Sequence, residues 1–202
     1  MTGIRMLWPL AALVLLAGPA PAAGPPDPDW PCVQRRMPHL SLGQLWSGPA
    51  PDAAALAAAE TPEVLALARH IALRRTTMEE AEARIAEFAR GREAPALTAL
   101  AQATFAQIER QRSTVMAGIT RYAHRQEALD RDIKEKRDAF ARLEAADPPD
   151  FDRIDALERE IDWATRIFRD RQQSLTYVCE TPVILEQRAF ALLRLIAARL
   201  PG

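Results

Sequence analysis

Residues 101–143, AQATFAQIERQRSTVMAGITRYAHRQEALDRDIKEKRDAFARL, carry the repeat that decides the fold. Ala101, Ile108, Val115, Tyr122, Leu129, Lys136 and Leu143 recur every seven residues, and Phe105, Arg112, Ile119, Gln126, Ile133 and Phe140 interleave with them. A helix returns to nearly the same face after seven residues, so these are the d and a positions of a coiled-coil seam sustained over about six heptads. Pro95 is suited to the first turn, and only Gly118 interrupts the run of helix formers before Asp147, Pro148 and Pro149. The spacing predicts one helix over about 95–146.

Beyond that turn the period resumes with Ile154, Leu157, Ile161, Ala164, Phe168, Arg171, Leu175 and Val178. Two seams of equal period across so short a break are joined most economically by folding the second helix, about 151–199, back along the first. Fifty helical residues extend ~75 Å, more than the width of a compact domain of this size, so the tip should protrude. Thr181 and Pro182 imply a kink or a restart in the second helix, because proline removes a backbone donor and crowds the preceding turn.

Upstream, Asp52 is placed to cap an Ala-rich turn. Thr61-Pro62-Glu63 predicts a helix over about 62–75; Thr77 with Glu80, closed by Gly91, predicts another over about 78–90. Both are too short to reach the tip and should pack on the base against Leu97–Ile119 and Val178–Leu200. The expected fold is all-α: a long antiparallel coiled-coil hairpin with two short helices completing a four-helix bundle at its base. Charge follows this division. Residues 120–172 hold 12 basic and 14 acidic side chains, whereas 183–200 is mostly apolar.

Three segments are expected in the 202 residues: 1–22, a leader 23–51, and a single helical domain 52–202 with its arm at about 120–172. Arg5, the apolar run Met6–Ala17 and the small residues Ala20, Pro21 and Ala22 read as a signal peptide cleaved after Ala22, giving a periplasmic or secreted product. Proline-rich at first, the leader then carries Trp30, Val33, Met37, Leu40, Leu42, Leu45 and Trp46, too apolar for a solvated tail, so Trp30 and Trp46 are expected to pack on the base. Cys32 and Cys179 are the only cysteines. Export favours their pairing into a disulfide that ties the leader down, and neither has a second cysteine or a histidine at metal-motif spacing.

With 26 basic and 27 acidic residues the net charge of −1 provides no bulk field for nucleic acid. No phosphate loop, nucleophile elbow or zinc-helix motif is present. Acidic runs at Glu79, Glu80 and Glu82 and at Asp150, Asp152 and Asp155 fall in first helical turns, where they favour the helix dipole. His39, His70 and His124 are isolated. Neither a cofactor, a metal nor catalysis is expected.

Arg112, Gln126, Lys136 and Arg171 are polar at seam positions and read as register-setting residues rather than a ligand slot. Trp163, at a c position, points away from the seam, with Ile167 at g beside it; this pair is the candidate partner contact, packing over the neighbouring helix, joining a homodimer or anchoring a client. The expected function is that of an exported, non-catalytic helical interaction protein of the cell envelope, whose hairpin meets a protein partner. One alternative is attachment to a membrane surface through 183–200, with Arg188, Arg194 and Arg199. The other is a small-ligand or catalytic site formed only in three dimensions near Trp30, Trp46 and the base.

Overall fold

A computed structural model describes residue 27 and residues 29–201. The expected signal peptide lies outside them. Six helices follow in order: α1 (Leu42–Leu45), α2 (Ala53–Ala59), α3 (Pro62–Ala72), α4 (Met78–Ala89), α5 (Ala94–Glu144) and α6 (Phe151–Ala197). α5 and α6 form the antiparallel hairpin, α3 and α2 pack on the lower part of α5, and α4 packs on α6.

Local chemistry sets most boundaries. Asp52 accepts from the Ala55 amide at 2.7 Å, so the Ala-rich turn is a full helix that adds a fifth member to the expected four-helix base. Thr77 caps α4 by accepting from the Glu80 amide, but the expected capping box is only half made. The Glu80 carboxylate turns instead to His70 Nε2 at 2.9 Å and Arg84 Nε at 3.1 Å, because a charged partner competes well against a lone backbone amide. Gly91 follows α4 at φ 68°, the left-handed conformation that only glycine adopts without strain. Asp150 caps α6 by accepting from the Arg153 amide at 3.1 Å.

Pro182 neither ends nor restarts α6, which is continuous from Phe151 to Ala197. An interior proline costs about 3 kcal/mol in an isolated helix. Here the ring is buried, Cys179 is cross-linked one turn before it, and Leu185, Ala189, Leu192, Leu193 and Ile196 are packed after it. Anchorage on both sides offsets the lost hydrogen bond.

The main core fills the base, where Ile71, Ile85, Leu97, Leu100, Leu192, Leu193 and Ile196 are fully buried and Trp46 closes its edge. Trp46 Nε1 donates to the Pro49 carbonyl at 2.8 Å, and a Cβ at Gly48 would collide with the Trp46 ring and with Leu200. Above Ala123 the buried apolar side chains among the described residues are only Ile133 and Ala164.

The leader is extended as expected except for α1, and it climbs the hairpin rather than staying at its base. Leu40 N donates to Glu109 Oε1 and the Thr120 hydroxyl donates to the Asp29 carbonyl, so residues 29–40 run along α5. Trp30 forms a second small core with Met116 and Ile119, and its Nε1 donates to the Gln34 carbonyl at 2.6 Å. The Cys32–Cys179 disulfide sits at this height, about 27 Å of helix from the end of α6.

Because a buried Leu or Ile contributes ~1.5–3 kcal/mol, the base should be far harder to open than the arm. Amides of 125–165 are expected to exchange with deuterium faster than those of 183–198; the reverse order would contradict this division. The disulfide closes a loop with a sequence separation of 147. Chain entropy sets its stabilisation at about 5 kcal/mol, an upper figure comparable with the net stability of a domain. Cys179→Ser should lower Tm by well over 10 °C and open residues 29–40 to protease while circular dichroism still reports a helical hairpin.

Candidate functional site

Seam geometry divides the hairpin into two unlike faces. In an antiparallel pair the e positions of both helices line one side and the g positions the other. On the e side the leader lies between α5 residues Glu109, Met116 and Ala123 and α6 residues Gln172, Cys179 and Glu186. On the g side α4 covers α6 only near the base, through Ala191, Arg194 and Leu195. Above that, nothing among the described residues covers the g side, where Trp163, Tyr177 and Val178 are exposed.

Polar contacts hold the leader to the hairpin as well as the disulfide. Arg112, 1% exposed, donates through Nε to Glu186 Oε1 at 2.8 Å, and its Nη atoms reach the carbonyls of Pro38 and Met37. It therefore neither sets register alone nor snorkels out. His124 Nε2 meets Asp29 Oδ1 at 2.6 Å, and within the leader itself Arg36 pairs with Asp27 at 3.1 Å. Sequence reasoning missed His124 as a leader contact, since its partner lies 95 residues away on a segment without periodicity. The α6 seam also departs from strict heptads: Arg171 and Val178 are exposed, and Cys179 takes the buried place next to Val178.

Between leader and hairpin lies an open groove of about 400 Å³, lined by Pro31, Tyr122, Ala123, Gln126, Phe168 and Leu175 with Asp27, Glu127 and Asp130 around it. The Gln126 amide donates to the Phe168 carbonyl at 3.2 Å. Its Oε1 and the Tyr122 hydroxyl are buried without a hydrogen-bond partner among the described residues. Burial pushes the Tyr122 phenol above its ordinary pKa, with Arg171 pulling the other way.

The acidic runs behave as helix-end residues. Hydrogen bonds from its own backbone amide and from Thr77 hold Glu79 below the usual carboxylate range, and His70 with Arg84 does the same for Glu80. That direction favours the ionised form, opposite to the shift a general acid requires. Among the described residues no group of three or more His, Cys, Asp or Glu side chains is arranged to hold a metal ion.

Of the two candidate contact residues, Trp163 is 63% exposed, while Ile167 is half-buried. Trp163, Tyr177 and Ile184 are spaced by multiples of seven on the c face of α6, with Val178 beside them at d; all four are exposed on the bare side. The exposed Tyr177 and Ile184 went unremarked in the sequence, although their spacing from Trp163 carried the signal. Comparison with protein-family models, characterised proteins and solved structures finds no match to this chain.

Arg112 is the testable element of the leader clamp. Arg112→Met leaves Glu186 and two carbonyls without their partner, and with Glu186 30% exposed to water this should cost about 2 kcal/mol in denaturant unfolding. Replacing both charges, Arg112→Met with Glu186→Leu, should recover part of the loss. Unchanged stability in the single variant would remove Arg112 from the clamp.

Proposed function

We propose that this chain is an exported, non-catalytic helical interaction protein of the cell envelope, presenting the bare side of its hairpin to a protein partner. The observation that carries the reading is the run of exposed Trp163, Tyr177, Val178 and Ile184 along the bare side of the two-helix hairpin. Large aromatics on a preorganised helical face give contact area at little entropic cost. The Cys32–Cys179 disulfide supports export, as such a bond persists in oxidising compartments.

Attachment to a membrane surface through 183–200 draws less support. Leu185, Ala189, Leu192, Leu193 and Ile196 of that stretch are spent on the core, and Arg188 donates to the Ile71 and Thr76 carbonyls at the end of α3. Arg199 pairs with Glu82 at 3.1 Å. Among the described residues no helix is long and apolar enough to cross a membrane. A small-ligand reading has one observation in its favour, the leader groove with its unpartnered Tyr122 hydroxyl and Gln126 Oε1.

Affinity capture from the native envelope, with the mature chain as bait, tests the proposal. A protein partner should be recovered by the intact chain and lost with Trp163→Ala plus Tyr177→Ala, two surface changes that leave the core untouched, and with deletion of 120–172. Equal recovery by all three baits removes the arm from the mechanism. A small molecule retained by the mature chain and released by Tyr122→Phe would favour the groove instead.

A further inference from the structure

We infer that the bare side of the hairpin is a self-complementary surface on which a second copy of this chain docks antiparallel, the two arms forming a four-helix bundle. This rests on the proposed interaction role of the arm and names its partner. Docking face to face with the two tips pointing in opposite directions requires a two-fold axis lying across the hairpin, so that α5 meets α5 of the second copy and α6 meets α6. Each residue then faces the one equally far beyond the axis. Three features of the chain locate that axis within about one helical turn, near Ala128 on α5 and Asp170 on α6.

Free length is the first. On α6 the bare side extends from Phe151 at the tip to Arg188, where contacts with Met78, Ile71 and Thr76 mark the seat of α3 and α4. Asp170 stands nineteen residues from Phe151 and eighteen from Arg188, at its midpoint. An arm centred there ends where α4 of the other copy begins, so neither tip collides with a base.

Charge is the second. On α5 the c and g positions of this side include exposed Arg121 and Arg125 toward the base and Asp132 and Glu135 toward the tip. Arg121 and Glu135 lie seven residues either side of Ala128, and Arg125 and Asp132 lie three and four. The axis therefore sets each arginine against a carboxylate of the second copy. Within the chain Arg121, Arg125 and Glu135 make no ion pair among the described residues, and Asp132 pairs only with Lys136. The one like-charge meeting is Asp170 with itself, and exposed Arg171, also without an ion-pair partner among the described residues, stands next to it to oppose that charge.

The apolar stripe is the third. Trp163 and Tyr177 lie seven residues either side of Asp170, so each tryptophan meets a tyrosine of the second copy, twice in the dimer. Ala156, a small residue, comes opposite the exposed Ile184. Levels on the two helices agree to within about one turn, because Gln126 reaches Phe168 and Lys136 approaches Glu160 across the hairpin, which sets Ala128 two to four residues from the level of Asp170. The face is roughly 55 Å long and two helices wide, on the order of 1000 Å² per copy, which meets the ~800 Å² of a standard stable interface. A net charge of −1 per chain sets no general repulsion against pairing.

Sedimentation equilibrium of the purified mature protein tests this. A dimer is expected, with Trp163→Ala raising its Kd ~100-fold. Arg121→Glu should raise it ~10-fold by facing Glu135 across the axis, and Glu135→Arg should do the same. Combining both reversals in one chain should restore Kd to within about 3-fold of the parent, since the pairs re-form with exchanged signs. Residues 121 and 135 are ~21 Å apart along α5, so rescue can arise only between chains. Arg131→Glu, at an f position on the outer back of α5 and outside the docking face, should have no effect. A monomer at about 100 µM overturns the inference, as does a dimer indifferent to Trp163 or without charge-swap rescue. A monomer whose arm still captures a different protein sinks this inference and leaves the interaction role standing. A charge-swappable dimer that captures nothing else does the opposite for any foreign partner.

Discussion

Two helices of 51 and 47 residues share one narrow seam, and only their lower halves have anything else to pack against. That inequality of length governs the rest of the molecule. Helices of 7, 11 and 12 residues can bury apolar surface only near the base, which is why fully buried Leu and Ile side chains gather there. A seam on its own buries one stripe per helix and leaves four flanks facing solvent. Whatever covers a flank above the base adds stability the hairpin otherwise lacks, and the leader does this on one side alone.

The leader needs a covalent and a charged hold because extended chain has little to offer otherwise. Its backbone has no neighbouring strand, so its carbonyls must find partners among side chains. Arg112 supplies them to Met37 and Pro38, and Glu186 neutralises the arginine. A guanidinium suits this place better than an ammonium, since one planar group serves a carboxylate and two carbonyls at once. The exposed seam positions Arg171 and Val178 follow from the same arrangement. Cys179 must turn toward the leader to reach Cys32, and α6 rotates its contact line by one residue there.

Regular elements were legible in the sequence, and departures from regularity were not. Heptads over 101–143 and 154–178 specify a hairpin because only one face of each helix is apolar, and the Asp147–Asp150 break leaves no room for another topology. Pairing of Cys32 with Cys179 followed from there being no other thiol. The leader's course could not be read, because an extended segment has no period to match against a groove. Arg112 looked like any polar a residue, its partners lying 74 and 75 residues away on two different segments. Pro182 left two outcomes open, a kink or a restart, and the continuous α6 excludes the restart: the local rule against interior proline is sound, but packing on both sides of it outweighs about 3 kcal/mol.

The two faces of the arm also differ in what they could tolerate. On the leader side Tyr122, Gln126 and Cys179 are committed to a groove whose shape depends on the cross-link, so a partner there would have to displace a covalently held segment. On the other side nothing must move before contact is made, and the exposed aromatics already stand on helices whose backbone is fixed. Binding that requires no prior opening avoids the ordering cost which makes flexible surfaces weak binders per unit area. The disulfide therefore acts on both faces at once: by closing one flank of the hairpin it stiffens the seam, and a stiff seam holds Trp163, Tyr177 and Ile184 in line on the other.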